Sequence, residues 1–227
     1  KAFEATVVTR EVYEAGMPEN QRVAFPGQPL SVAASYVGRQ AAEPTIGVNK
    51  NGTAFFAAAT FDAVLGGLAR TEVLRSRDNG ETWETVQQGL LFDTTTEPPL
   101  TLDPYLHLDP QTGRVFTIDL YVGCSYLLFS DDEGMTWRRN PLACGQPVND
   151  HHTITTGPPR VDVTIGYPNV VYYCFNRVVD SSCGKSLDGG QTFIPAGTAF
   201  LGEDLEAGGF CGGLHGHLAT DSAGRVF

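Results

Sequence analysis

The chain has 227 residues, of which 41% are hydrophobic and 18% charged, and it contains 26 glycines and 14 prolines. This turn-rich globular composition excludes an intrinsically disordered chain, and the absence of a linker-like tract predicts one domain over residues 1–227. The net charge of −11 repels phosphate backbones and anionic membrane surfaces, and no apolar run approaches the roughly 18 residues of a membrane helix, so we expect neither nucleic-acid binding nor membrane insertion.

In chain order, short alternating strands are found on both sides of glycine-bearing turns. The pairs are 45–49 with 53–56, 105–109 with 114–116, and 217–221 with 225–227. Alternation around such a turn predicts β-hairpins. A further copy differs, because the strand at 151–155 is followed by a longer loop before 170–173.

An eight-residue pattern, Ser-x-Asp-x-Gly-x-Thr followed by Trp or Phe, occurs three times in phase with these hairpins. We call each copy an octet; the octets span 76–83, 130–137 and 186–193, and their aspartates lie 54 and 56 residues apart. This period is close to the roughly 40 to 50 residues of one four-stranded propeller blade. The sequence therefore predicts an all-β propeller, with about six to eight blades when complete.

The hairpins and octets place three blades at about 43–88, 103–142 and 150–198, and the start of a fourth at 214–227. Three blades and part of a fourth do not close a ring, and an open ring leaves an unpaired strand edge. We therefore expect a propeller that is incomplete at the C-terminus, and further blades or another chain that close it.

The octet residues are suited to a tight turn. An aspartate carboxylate accepts N–H groups, a glycine takes positive φ, and an aromatic ring anchors the hairpin. A structural role is therefore predicted for Asp78, Gly80, Trp83, Asp132, Gly134, Trp137, Asp188, Gly190 and Phe193. The alternative is Ca²⁺ binding, which needs several oxygens at one point, and one carboxylate per turn is too few.

Five cysteines occur without the CxxC pairs typical of zinc ribbons. We interpret them as disulfides: Cys174 with Cys183, which flank a predicted hairpin loop, and then Cys124 with Cys144, leaving Cys211 over. The alternative is a cytosolic protein with buried free thiols. Disulfides favour a secreted or extracellular protein, with the periplasm as the alternative compartment.

The octet resembles the Asp box, or BNR repeat, of the sialidase superfamily, and this similarity runs from about residue 43 to the end. The resemblance implies a sialidase-like β-propeller, but sialidases, other glycosidases, sorting receptors and binding propellers all carry the box. For a sialidase it further implies three arginines around the substrate carboxylate, a tyrosine nucleophile with a glutamate, and an aspartate acid/base. Glu43 stands where the first arginine belongs, and its charge would repel sialic acid.

Aligning the inner strands by their turns brings acidic residues and histidines to the strand starts, where propellers bind ligands. The candidates are Glu43, Asp103, Asp150, His151, His152, His215 and His217. Asp103, His151 and His215 are the candidates for a divalent cation such as Ca²⁺ or Zn²⁺, and no other cofactor is predicted. The alternative is that these side chains bond to the loop backbones of neighbouring blades. Tyr105, Tyr172 and Tyr173 are expected in the packing between blades.

Two functions remain open. The first is a secreted propeller that binds a glycan or protein ligand on its channel face without catalysis, which Glu43 at the arginine position favours. The alternative is a glycoside hydrolase of the sialidase-like superfamily, of the exo-sialidase type, with catalytic residues partly beyond this chain. The carboxylates and histidines at the strand starts favour that alternative.

Overall fold

The computed structural model describes residues 41–62, 68–88, 103–121, 124–144, 150–176, 181–197 and 217–227. These residues form twelve β-strands and no helix. In particular, they contain no helix of the length and apolar character needed to span a membrane.

The strands form three four-stranded antiparallel sheets, in each of which consecutive strands are neighbours. The first sheet contains β1 (Ala41–Val48), β2 (Ala54–Asp62), β3 (Leu68–Ser76) and β4 (Glu84–Gln88). The second contains β5 (Tyr105–Leu108), β6 (Val115–Tyr121), β7 (Cys124–Ser130) and β8 (Arg138–Leu142). The third contains β9 (Asp150–Gly157), β10 (Val170–Asn176), β11 (Ser181–Ser186) and β12 (Ile194–Gly197).

The first strands of the three sheets lie side by side, since β5 contacts both β1 and β9. Three up-and-down sheets with adjacent inner strands are the blades of a propeller, and the predicted fold class is confirmed. Residues 217–227 form a further hairpin, in which Thr220 pairs with Val226. Closure of the ring stays a prediction.

Apolar side chains fill the spaces between the sheets, because each blade presents one face of its alternating strands to the next. Between the second and third sheets the core includes Phe116, Leu127, Ile154 and Val171. Between the first and second sheets it includes smaller groups, such as Ala57 with Val73 and Val115. Burial of each large side chain contributes about 1.5–3 kcal/mol, so these layers hold the blades together.

Each octet forms the turn between the third and fourth strands of its sheet. In the first octet, Ser76 Oγ donates to Asp78 Oδ1 at 2.8 Å and accepts from Gly80 N at 2.8 Å. Thr82 N and Oγ1 donate to the same carboxylate at 2.9 and 2.5 Å. The same bonds recur around Asp132 and Asp188. The aspartates therefore bind the turn itself.

The octets also join neighbouring blades. In the second octet, Trp137 Nε1 donates to Val86 O of the first sheet at 3.0 Å. In the third octet, Gly189 O accepts from Arg114 Nη1 at 2.6 Å, and Gly190 O accepts from Asn140 Nδ2 at 2.9 Å. Each of these octets is thus held by the preceding blade.

The longer loop of the third blade, residues 158–169, packs on the turn between β5 and β6. Tyr167 Oη donates to Asp109 Oδ2 at 2.7 Å, and Asn169 Nδ2 donates to the same carboxylate at 2.9 Å. The Arg114 guanidinium lies between two rings, 4.4 Å from the centroid of Tyr167 and 4.6 Å from that of Phe129. The departure of this blade from the hairpin pattern therefore adds an inter-blade contact.

The structure contains the two disulfides that the sequence favours. Cys174 and Cys183 are directly opposite on β10 and β11. Cys124, at the start of β7, is bonded to Cys144, just after β8. The remaining cysteine, Cys211, lies outside the described residues.

Candidate functional site

The inner strands begin at a cavity of about 140 Å³. Its walls come from three blades and the following hairpin: Glu43, Pro44, Thr45, Asp103, Pro104, Tyr105, His151, His152 and His217. The octets lie at the other end of the sheets. In an antiparallel blade the third strand ends where the first strand ends, and each octet follows a third strand. The site is therefore separate from the octet turns.

The structure brings most of the predicted site residues together. Five of them line the cavity, and a sixth, Asp150, is hydrogen-bonded to Asp103. The seventh, His215, lies outside the described residues. The blade alignment based on turns thus places side chains that are far apart in sequence on one cavity.

The backbone is irregular where β1 and β9 enter the cavity. Glu43 and His151 have φ values of 51° and 45°, in the left-handed region that side-chain-bearing residues rarely adopt. The strand register shifts at both places, between Ala42 and Thr45 of β1 and opposite Cys174 and Asn176 of β10. Such bulges re-aim side chains and concentrate at functional sites. Here they turn two polar side chains to one cavity.

Three carboxyl groups meet at this end of the inner strands. Burial raises the pKa of Asp103. The hydrogen bond that Asp150 donates lowers it, while a hydrogen bond donated to Glu43 and repulsion from that carboxylate raise it. The hydrogen bond to Asp103, followed by burial, raises the pKa of Asp150. Two carboxyl groups in hydrogen-bond contact titrate as a coupled pair, because the charge of one disfavours ionisation of the other. Their hydrogen bond raises the pKa of Asp150 and lowers that of Asp103, so within the pair it favours the proton on Asp150.

Three rings form a stack beside these carboxyl groups. The His217 ring lies 4.8 Å from the Tyr105 ring and 5.7 Å from the His151 ring, centroid to centroid, with interplanar angles of 29° and 18°. Burial and the charge of His151 lower the pKa of His217. The stacked rings lie next to the carboxyl groups, a combination suited to a ligand with both polar and apolar faces.

His152 lies deeper than the stack. Its side chain lines the cavity and the residue is only 3% exposed, so burial lowers its pKa to about 4, and the ring is neutral at pH 7. Nδ1 lies 3.5 Å from Ser125 Oγ, which accepts from Tyr173 Oη at 2.6 Å. Nε2 is buried with no partner at hydrogen-bond geometry. The hydrogen bonds with the backbone of Asp103 and Ile118 that act on the pKa of His152 tie its ring to two other strand regions rather than to the open cavity.

The predicted metal site is not assembled by the described residues. Among them, no three His, Cys, Asp or Glu side chains are arranged to hold a metal ion. Because His215 is not described, the set of Asp103, His151 and His215 stays a prediction. Carboxylate and imidazole are suitable ligands for Zn²⁺ in principle.

The tyrosines show what sequence reasoning missed. Tyr173 lies in the core, as expected, and Tyr105 packs against that core. Tyr105 also lines the cavity, where its ring stacks on His217. Tyr105 lies four residues before the turn aspartate Asp109, and His217 lies four residues before Asp221. These equivalent positions could have predicted that the two rings lie close together. The pairing of Asp103 with Asp150 had no such signal.

No family model and no curated protein sequence matches the chain. Among solved structures, a Hadza microbial sialidase matches at 19% identity and a TM-score of 0.43, over 64% of this chain and 28% of that one. An α-L-arabinanase from Penicillium chrysogenum, solved with arabinobiose, matches at 15% and 0.46, over 74% and 52%. The NanB sialidase from Streptococcus pneumoniae matches at 12% and 0.47, over 74% and 44%. The chain spans less than two thirds of the length of each, and the likeness is one of fold.

Proposed function

We propose that the cavity is the active site of a glycoside hydrolase, with Asp150 as the acid and Asp103 as its ionised partner. The observation that carries this proposal is the hydrogen-bonded carboxyl pair at the start of two inner strands, in which the pKa of both members is raised. Glycoside hydrolysis uses two carboxyl groups, one protonated and one ionised, and the environment sets which is which.

In this reaction, Asp150 donates its proton to the glycosidic oxygen as the bond from that oxygen to the anomeric carbon breaks. The Asp103 carboxylate, hydrogen-bonded to Asp150, lies closer to it than the roughly 5–9.5 Å that separate the two reacting carboxyl groups of glycosidases, so its role is to position the acid and raise its pKa. Water then adds its oxygen to that carbon, and its proton returns to the carboxyl pair. The stack of Tyr105, His217 and His151 supplies a flat wall against which a sugar ring can be oriented.

Isosteric variants test the pair. We expect Asp150→Asn and Asp103→Asn each to reduce turnover of a panel of aryl glycosides by about 10²–10⁴-fold, the usual contribution of a positioned acid or base. The matched control is Asp162→Asn, which removes one exposed carboxylate from the loop at the opposite end of the sheets. Equal turnover by all three variants, at unchanged fold by circular dichroism, contradicts the proposal.

The pH profile gives a second measurement. Since the raised pKa of Asp150 keeps its proton at a higher pH than an ordinary aspartic acid, we expect turnover to fall as pH rises through that pKa. The falling limb should be absent in Asp150→Asn, whose residual turnover has no acid to lose.

Binding of a glycan or protein without catalysis is the second candidate, and Glu43 favours it. This carboxylate lines the cavity at the position where the sialidase resemblance calls for an arginine, so recognition of sialic acid is not proposed. Saturable glycan binding that survives in Asp150→Asn, with no turnover of any glycoside by the unmodified protein, supports this candidate over hydrolysis.

We infer an oxidising compartment for the protein, since two disulfides join strands within its blades. Free-thiol titration under denaturing conditions, with and without prior reduction, should show four thiols released by reduction. Fully reactive cysteines in the protein isolated from its native source would contradict export.

A further inference from the structure

We propose that Asn51 is an acceptor for an N-linked glycan. Asn51, Gly52 and Thr53 form an Asn-x-Thr triplet, and no other Asn-x-Ser or Asn-x-Thr triplet occurs in the 227 residues. So short a pattern also arises by chance, but the structure places this one where an acceptor is accessible. The modification is remote from the cavity and independent of the proposed hydrolysis.

The triplet lies at the tip of the turn between β1 and β2. Asn51 and Gly52 are exposed, and Gly52 takes a φ of 86° where the chain turns back into β2. A Cβ built on Gly52 meets no atom within 4 Å, whereas one on Gly224, at the equivalent place in the hairpin 217–227, collides with the carbonyl oxygen of Pro158. The tip between β1 and β2 therefore has open space for a bulky sugar chain.

The fold does not use the side chain of Asn51. Asn49 holds the turn, since its Oδ1 accepts from the backbone N–H groups of Asn51 and Thr53 at 2.9 and 3.0 Å. Asp221 holds its own turn in the same way, accepting from Ala223 N at 2.9 Å. Ala223 occupies there the position of Asn51, so this position needs no polar side chain. In the part of the chain that the structure describes, no hydrogen bond engages the Asn51 amide group.

The location of the tip is compatible with a large modification. β1 leads from the cavity, which Glu43 and Thr45 line, to this turn at its other end, so a glycan there lies at the octet end of the sheets. It leaves the carboxyl pair accessible. The two disulfides suit folding in the oxidising lumen of a secretory pathway, where exported proteins acquire such glycans.

The transfer forms one bond and breaks one. Nδ2 of Asn51 bonds to the anomeric carbon of the first sugar, while the bond from that carbon to a phosphate oxygen of a lipid-linked pyrophosphate donor breaks. The electron pair leaves with the lipid pyrophosphate, and one amide proton passes to solvent. In the folded chain, Thr53 is only 6% exposed and its hydroxyl donates to Glu133 Oε1 at 3.3 Å. We therefore expect transfer to precede packing of this hairpin against the second blade.

Secretion of the full chain from a eukaryotic cell line, behind a secretory leader, tests the acceptor. The measurement is the mass of the secreted protein before and after treatment with peptide-N-glycosidase. We expect the natural sequence to carry one glycan, which the enzyme removes. Asn51→Gln should carry none, and neither should Thr53→Val, which keeps the amide and the side-chain shape but lacks the hydroxyl. Thr53→Ser, which keeps a hydroxyl, should retain the glycan.

Asp162→Asn is the matched control, because it creates a second triplet with Val163 and Thr164 on an exposed loop. We expect this variant to carry two glycans. A natural sequence secreted without a glycan overturns the proposal, and one glycan on Asp162→Asn would then show that the host modifies this chain but not at Asn51. A glycan that remains on Asn51→Gln overturns it as well.

Discussion

At the residue scale, two glycines share one backbone conformation in different surroundings. Gly52 and Gly134 both have φ of 86°, but a Cβ at Gly52 meets nothing within 4 Å, whereas one at Gly134 lies 2.9 Å from Val86 Cγ2 of the neighbouring blade. Alanine at either position costs about 1–2 kcal/mol of left-handed strain. Overpacking adds about 1–3 kcal/mol at Gly134 alone.

We therefore expect Gly134→Ala to lower the free energy of unfolding more than Gly52→Ala, by that additional amount. Urea denaturation of the two variants measures the difference. Equal losses would mean that Val86 moves aside without cost and that the second octet is not tightly packed against the first blade.

The octet aspartates are expected to contribute to the pH dependence of stability in acid. Hydrogen bonds, first from the threonine hydroxyl and then from its N–H, lower the pKa of Asp78 and of Asp132 from 3.8 to about 2. A carboxyl group with a depressed folded-state pKa stabilises the fold above its unfolded pKa, and this stability is lost as pH falls through the folded value. We expect the octet contribution to be complete at neutral pH and to decline between pH 3.8 and about 2.

Denaturation midpoints measured between pH 7 and 2 test this expectation. The variant Asp78→Asn/Asp132→Asn should lose less stability across the acid range than the unmodified protein, because its amides do not titrate. Comparing the two proteins isolates the octets from the cavity carboxyls, whose raised pKa values act with the opposite sign. Parallel pH curves for the two proteins would remove the octets as the cause.

At the element scale, the disulfides tie strands inside two blades. Cys174–Cys183 joins residues nine apart in sequence, and Cys124–Cys144 joins residues 20 apart. In the chain-entropy description, each cross-link stabilises the fold by about 2–3 kcal/mol, and the longer loop contributes about 0.7 kcal/mol more. We expect Cys124→Ser/Cys144→Ser to be less stable than Cys174→Ser/Cys183→Ser by roughly that amount in urea denaturation under oxidising conditions.

If Cys174→Ser/Cys183→Ser were instead the less stable variant, side-chain packing would be the cause. This result would show that packing around the buried Cys174 sulfur, which shares a wall with Tyr172 and Leu218, outweighs loop closure. Reduction of the unmodified protein should reproduce the sum of the two losses, because the bonds lie in different sheets.

At the scale of the whole molecule, blades are joined by a few side chains that cross from one to the next. Arg114 is 11% exposed, pairs with Asp131 at 2.6 Å, donates to Gly189 O and lies between the rings of Phe129 and Tyr167. Lysine cannot reproduce the planar fork or its stacking. We expect Arg114→Lys to cost about 1–3 kcal/mol of unfolding free energy.

Arg77→Lys is the matched control, since Arg77 is 52% exposed and its pairs with Glu84 and Glu133 are open to solvent. It should cost no more than about 1 kcal/mol. Hydrogen exchange should further show Arg114→Lys losing protection where the second and third blades meet. An effect of Arg114→Lys as small as that of Arg77→Lys would mean that the apolar layer alone holds these blades.

Much of the fold was available from local sequence signals. The octets and the glycine-bearing turns predict hairpins because their hydrogen bonds close within a few residues, as the bonds around Asp78 do. The register of β9 against β10 was not available, because the intervening loop is held by Asp109 of another blade. The bulge at His151 could not be predicted either, because no local residue pattern indicates it.

By itself, the sequence determined the all-β class, the repeated four-stranded units and the turn role of the octets. It also placed Glu43, Asp103 and His151 at the starts of the inner strands. These features depend on the repeat period and on contacts between residues close in sequence. Only the tertiary structure decided that Asp103 and Asp150 are hydrogen-bonded to each other and that Tyr105, His217 and His151 stack. These features join residues of different blades, and their pKa values depend on burial and distance, which no single strand specifies.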